Sequence, residues 1–345
     1  MQMTTVQKNE DTSLKQPTFI DLFAGIGGFR LGMTRQGFKC VFSSEIDKHA
    51  CEIYEENFGE NPYCDISLKD EKDLPNFDVL CGGFPCQPFS KAGRLKGFSD
   101  TRGTLFFHIL RILEYKKPKA FILENVNTLF GHDKGHTFKV IQNSLESLGY
   151  HFSYSFLDAS DFGVPQSRRR IIMVGTLDKP FDFDQLEKNE IHEALPYLDD
   201  FQDPSKINPK YTQKVIDKKD YTLIENSKRQ KSKLHFIGYL NGKTIRNGFS
   251  LDQMNATATH RQQNRIYDAS GLMPTLVAGE SSGRYWVHYQ DKVRKLTLNE
   301  CYRFMGFPQD FKLIGGQTQL YKRIGNSVCV SMVEQLAIAI KQHLV

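Results

Sequence analysis

No Cys-x-x-Cys occurs in this 345-residue chain, although it holds seven cysteines, at 40, 51, 64, 81, 86, 301 and 329. An odd count without paired spacing argues against a disulfide framework and against a structural zinc site. Reduced thiols, no metal and a cytoplasmic location are therefore expected. There is no run of about 18 apolar residues, so a helical membrane span is not expected. Residues 1–16 are polar and lack the apolar core of a secretory signal; they read as a disordered leader. Internal repeats and low-complexity tracts are also missing. The net charge is only +5, too mild by itself to argue for a polyanionic partner.

The distribution of charge says more than its total. Residues 178–204 carry nine acids against two bases, whereas 206–247 carry eleven bases against three acids. The basic stretch can steer phosphate backbones or form a solvated lysine-rich face. In the first half, short apolar runs at 19–23, 40–44, 77–80, 120–123 and 171–175 read as strands. Helical spacing lies between them, clearest in Phe106, Ile109, Leu110 and Leu113, which a Lys116-Lys117-Pro118 stop follows. Strands separated by helices predict an α/β fold with a doubly wound, mostly parallel sheet. From 178 to about 293 the pattern becomes polar and irregular, which predicts a second, smaller domain. A last helix is expected to open at Asn326-Ser327.

Two loops carry the chemistry. Phe19-Ile20-Asp21-Leu22-Phe23-Ala24-Gly25-Ile26-Gly27-Gly28 is a strand entering a glycine turn, where backbone can approach a ligand closely. Glu45, twenty residues after Gly25, would accept hydrogen bonds from a ribose. Arg30 stands where a dinucleotide site wants its third glycine, and Asp21 lies inside the strand. An acid so near the ligand suits a cationic, phosphate-free cofactor such as S-adenosyl-L-methionine. The second loop is Gly82-Gly83-Phe84-Pro85-Cys86-Gln87-Pro88-Phe89-Ser90. It follows a strand at the sheet's carboxyl edge, with prolines on both sides of a thiol that is a candidate nucleophile.

With these loops in view the chain resembles the cytosine-C5 DNA methyltransferases. The matching motifs are the glycine turn at 19–28, Pro85-Cys86-Gln87, Glu124-Asn125-Val126, Gln166-Ser167-Arg168-Arg169-Arg170, Arg294-x-Leu-Thr through Gly306-Phe307-Pro308, and Gly325-Asn326-Ser327-Val328. They stand in the family's order and cover the chain apart from roughly 178–293. The resemblance implies that Cys86 adds to carbon 6 of cytosine, making carbon 5 nucleophilic toward the methyl of S-adenosyl-L-methionine. It implies that Glu124 serves N3 as a proton donor, that Arg170 contacts the base carbonyl and that Arg168 supports Glu124. Residues two apart on a strand share a face, so both arginines can reach one pocket while Arg169 points away. For the cofactor it implies Phe23, Gly25 and Gly27 at the turn, Glu45 on the ribose, Asp65 on the adenine amino group and Asn326 closing the pocket. The last helix is then expected beside the first strand.

Such an enzyme must flip its base out of the duplex. The segment 90–102, with Ser90, Lys91, Arg94, Lys96 and Arg102, reads as a lid over the flipped base. Sequence reading is expected in 260–267 and around Pro274-Thr275-Leu276, with Arg265 and Thr275 the first residues to test. The organisation expected is a leader at 1–16, a catalytic domain from 17–195 plus 320–345, and target recognition with a hinge at 196–319. Double-stranded DNA is the expected partner, of a monomer, with a cognate restriction endonuclease acting separately. Rival readings are a tRNA cytosine methyltransferase, which typically carries Cys-Phe-Thr and a shorter variable region, a nicotinamide oxidoreductase, and a non-catalytic DNA-binding regulator. The oxidoreductase leaves Cys86, Arg168 and Arg170 unexplained; the regulator predicts loss of a chemical residue, and none is lost.

Overall fold

The computed structural model describes residues 16–85, 105–198, 215–224, 233–241 and 262–344. The first sheet begins with β1 (Thr18–Leu22), leads through α1 (Gly28–Arg35) into β2 (Lys39–Ser44), and continues with α2 (Lys48–Phe58) and β3 (Val79–Gly83). Then come α3 (Leu105–Lys116), β4 (Ala120–Val126), α4 (His136–Ser147), β5 (His151–Asp158), the short β6 (Gln166–Ser167) and β7 (Arg169–Thr176). Its six strands run in the order β2-β1-β3-β4-β7-β5. All neighbours are parallel except β7, which is antiparallel to both β4 and β5. The apolar runs read from the sequence are β1, β2, β3, β4 and β7; β5, with its Phe152-Tyr154-Phe156 alternation, is an addition.

The central strands are apolar on successive residues because both faces are covered. Phe19, Cys81, Ile122 and Val174 pack with Met33 of α1 on one face. Ile20, Leu80, Phe121, Leu123 and Met173 pack with Ile109 and Leu113 of α3 and Ile141 and Leu145 of α4 on the other. The helical residues expected from spacing, Phe106, Ile109, Leu110 and Leu113, are all buried.

The polar stretch is more regular than its pattern suggests. It contains β8 (Val215–Ile216), β9 (Tyr221–Leu223), β10 (Phe236–Leu240), β11 (Arg265–Asp268), β12 (Met273–Pro274), β13 (Trp286–Tyr289) and β14 (Lys292–Lys295). Six of these form a second sheet in the order β8-β14-β13-β11-β10-β9, while β12 pairs in parallel with β6 of the first unit. Strands of two to five residues are too short for alternation to show in sequence.

Three helices close the chain: α5 (Leu298–Arg303), α6 (Gln317–Asn326) and α7 (Val330–Ile340). Here one expectation is corrected. Asn326 ends α6, and α7 starts later with Cys329 as its N-cap and no side-chain cap. The expected neighbour of α7 is present. It packs on α1 in the layer containing Phe19, and a Cβ on Gly32 would stand 2.6 Å from Val333 Cγ1, so only glycine permits that approach. Among the described residues no helix is long and apolar enough to cross a membrane.

Candidate active site

The chain order reverses between β1 and β3, the place where an α/β sheet opens a crevice at its carboxyl edge. A cavity of about 530 Å³ lies there, within the ~300–1,000 Å³ usual for a small-molecule site. The loops after β1, β2 and β3, the last residues of β4 and the end of α6 line it. Because β7 is antiparallel, it starts where its neighbours end, and this brings Arg168 and Arg170 to the same edge.

At one end stands the glycine turn. Phe23, Gly25 and Gly27 all have positive φ, at 57°, 56° and 89°. That conformation is natural for glycine and strained for Phe23. A Cβ on Gly27 would overlap the Phe58 ring. Phe23, Gly25, Glu45 and Asn326 line the cavity; Gly27 shapes the turn from behind. The Glu45 carboxylate is pinned by the amides of Gly25 (2.8 Å), Ile46 (2.9 Å) and Asp47 (2.8 Å). A carboxylate offers about four acceptor positions, so capacity remains for a ribose hydroxyl. Beside it Ile46, 62% exposed, adds an apolar surface to the lining that no pattern signalled. Asp47 caps α2 through the Ala50 amide and pairs with Arg323 of α6 at 2.6 Å, tying the cavity's two walls together. Asp65 is exposed, accepts the Ser67 amide and does not line the cavity.

Asp21 requires correction. It does not face the cavity but is fully buried, with Oδ2 accepting the Arg30 amide at 3.2 Å and Oδ1 lacking a partner among the described residues. Strand alternation directs it with Phe19 toward the α1 layer rather than to the sheet edge. Burial raises its carboxyl pKa to about 8, with Glu45 adding to the rise and Arg30 opposing it.

At the other end, Glu124 lies on β4 opposite Gly83 of β3, three residues before Cys86. Its Oε1 pairs with Arg170 Nε at 2.9 Å, both side chains nearly buried. The expected support of Glu124 by Arg168 is thus corrected: Arg170 provides it. Arg168 donates instead to the carbonyls of Leu276, Gly325 and Ser327. The alternation itself holds, because both line the cavity while Arg169 is exposed and stacks over Phe156 at 4.9 Å. Asn125, quoted in its motif without a role, donates to the Phe84 carbonyl at 2.8 Å and so anchors the start of the cysteine loop. Cys86, Ser90 and Arg94, with the rest of the expected lid, lie outside the described residues, as do His260 and Arg261 and most of the basic stretch.

On the reading side, Thr275 and Arg265 are described and neither lines the cavity. The Thr275 hydroxyl donates to the Ser167 carbonyl at 2.7 Å, and the Arg265 guanidinium lies 5.9 Å from the Phe236 ring centre. Gln166 is buried; its amide donates to Phe304 O and its oxygen accepts the Leu276 amide, both at 2.8 Å. The Arg294-x-Leu-Thr motif is architectural. Arg294 is fully buried and pairs bidentately with Glu300, which also forms a capping box with Thr297 at the start of α5.

The sequence profile of the C-5 cytosine-specific DNA methylases matches residues 17–342. The Type II methyltransferase M.HhaI of Haemophilus parahaemolyticus is 38% identical over 97% of this chain and 97% of its own length. M1.ScrFI of Lactococcus lactis subsp. cremoris is 42% identical over 92% of this chain and 76% of its own. In structure, the Schizosaccharomyces pombe Dnmt2 methyltransferase aligns at a TM-score of 0.67 and 20% identity, covering 94% of this chain and 99% of that one. An Escherichia coli prophage protein described as a putative DNA modification methyltransferase aligns at 0.63 and 22% identity, over 95% and 99%. These two likenesses speak for the fold. The match to the family over nearly the whole chain, on a fold that brings the glycine turn to Glu124 and Arg170, places this protein in the C-5 cytosine-specific DNA methylase family, as a DNA (cytosine-5-)-methyltransferase that uses S-adenosyl-L-methionine.

Proposed function

We propose that this enzyme methylates a cytosine flipped out of a short, specific duplex sequence, with Cys86 as nucleophile and Glu124 and Arg170 holding the base. The observation that carries this reading is a single cavity running from the glycine turn and Glu45 to the Glu124–Arg170 pair, with Pro85 of the cysteine loop in its lining. Its residues fit S-adenosyl-L-methionine: a turn open to close approach, a pinned acceptor for a ribose, and the apolar Ile46 beside it. Bound there, the cofactor supplies an electrophilic methyl group. The protein does the rest. Cys86, as thiolate, adds to carbon 6 of the base and is expelled again after methylation, when a water takes the proton from carbon 5. Glu124 holds a proton at N3, and Arg170 fixes the carboxyl group so that only one oxygen is free to face the ring. Asn125 holds Phe84, and through it the approach of the cysteine loop to Glu124.

In this reading, residues 17–195 and 320–345 form the catalytic domain and 196–319 read the target, with Arg265 and Thr275 at the DNA. The named relatives are Type II methyltransferases, and this supports an enzyme that protects host DNA from a separate restriction endonuclease; a monomer in the cytoplasm belongs to the same reading. Expression in a non-methylating host followed by bisulfite sequencing tests the site; Cys86→Ala is the control. Duplexes carrying 5-fluorocytosine in the methylated position should form a covalent complex with wild type and none with Cys86→Ala. Methylation restricted to adenine or to the cytosine amino group, or the absence of any trapped complex, refutes the proposal.

A further inference from the structure

We propose that Arg168 is a positioning residue that latches the target-reading loop to the floor of the cofactor cavity, so that cofactor occupancy and DNA affinity are coupled through it. The inference rests on the functional reading above and concerns regulation of that same site. Arg168 is 2% exposed, and the three hydrogen bonds of its guanidinium all go to main-chain carbonyls: Leu276 at 2.8 Å, Gly325 at 3.1 Å and Ser327 at 2.6 Å. Leu276 belongs to the loop after β12. Gly325 and Ser327 flank Asn326, which lines the cavity. One guanidinium thus joins the segment beneath the cofactor to the segment expected at the DNA.

Neighbouring contacts extend the latch both ways. A Cβ on Gly28, next to the glycine turn, would stand 2.9 Å from Ser327 Oγ. A Cβ on Gly325 would overlap the Ala278 amide nitrogen, so the end of α6 and the loop touch backbone to backbone. Gln166 accepts the Leu276 amide, and Thr275 donates to Ser167, the residue before Arg168. The loop is therefore placed by side chains of the Gln166–Arg168 stretch and by the short β6–β12 pairing.

The charge of Arg168 is poorly compensated for a purely structural role. It makes no ion pair among the described residues. Burial and the nearby Arg170 pull its pKa down to about 9, with Glu124 opposing. A buried cation with only neutral partners is not an efficient stabiliser. The planar guanidinium spreads its donors over separate nitrogens, Nη1 reaching Leu276 and Nη2 reaching Gly325 and Ser327, whereas a lysine carries its three donors on one nitrogen.

The test measures binding of a fluorescently labelled duplex, bearing the sequence located by bisulfite sequencing, with and without saturating S-adenosylhomocysteine. Wild type should bind the duplex about tenfold or more tighter with S-adenosylhomocysteine, within the usual range of coupling. By reciprocity the duplex should tighten S-adenosylhomocysteine binding by the same factor. In Arg168→Lys this ratio should fall below about threefold, whatever the change in affinity for S-adenosylhomocysteine alone. A merely structural defect weakens each ligand separately and leaves the ratio intact; that result overturns the inference. So does a wild type without coupling. Should Arg168→Lys fail to fold, Gly325→Ala, which leaves the guanidinium in place and displaces the loop, decides by the same ratio. A wild type that methylates no cytosine refutes the functional reading and the inference with it.

Discussion

Replacing Glu300 by glutamine tests whether the Arg294 motif is architecture. Arg294 and Glu300 are both fully buried, joined at 2.6 and 2.7 Å, and Glu300 Oε2 also accepts the Thr297 amide at 2.7 Å. Glutamine keeps the volume but turns one acceptor into a donor facing the guanidinium, which leaves a buried cation uncompensated. Breaking such a pair costs about 3–5 kcal/mol. A weakened capping box adds about 1 kcal/mol. With about 2–4 °C lost per kcal/mol in a large domain, Tm should fall by roughly 8–24 °C. Arg294→Met alone should cost a similar amount. The double variant Arg294→Met/Glu300→Leu removes both charges and takes a partner from the Thr297 amide and from the Lys295 carbonyl, each costing about 1–3 kcal/mol if left unsatisfied. It should therefore be more stable than either single variant, with a coupling energy of about 3 kcal/mol or more in a urea-unfolding cycle. A double variant whose loss equals the sum of the singles, or a Glu300→Gln loss below about 1.5 kcal/mol, refutes the reasoning.

Glu124→Gln should lower kcat by about 10²–10⁴-fold, since glutamine cannot give a proton to N3, while the affinity for S-adenosylhomocysteine stays within about twofold; radiolabelled methyl transfer and calorimetry read the two, and an unchanged kcat removes Glu124 from the chemistry. Burial raises Asp21 from 3.8 to about 8, so the native state holds a proton that the unfolded chain releases above about pH 4. That contribution is complete below about pH 4 and is lost as pH rises through about 8, so the Tm of Asp21→Asn relative to wild type should climb by about 2 °C or more between roughly pH 5.5 and 8.5. A difference that does not vary with pH contradicts the assignment. Gly32→Ala places a methyl 2.6 Å from Val333 Cγ1; it should cost about 1–3 kcal/mol in urea unfolding by forcing α1 from α7, and a neutral or stabilising result shows that the helices are not in fixed contact.

The strands that carry chemistry were legible because each ends in a glycine, proline or acid that breaks an apolar run, as at Gly25, Gly83 and Glu124. Both faces of that sheet are covered, so burial writes itself into the sequence as unbroken apolar stretches. The second sheet left no such mark. Its strands are short, and pairing between Arg265–Asp268 and Trp286–Tyr289 is set by partners distant in the chain. The local chain also specified that Arg168 and Arg170 share a side while Arg169 points out, because a two-residue period is a property of any extended backbone. What each arginine holds was decided only by tertiary structure. The antiparallel entry of β7 sets Arg170 against Glu124, and the return of α6 brings the carbonyls of Gly325 and Ser327 to Arg168. Asp21 shows the same division. Its place in a strand beside a glycine turn is written in sequence, but whether its carboxylate meets a ligand or the underside of a helix depends on which layer packs against that face.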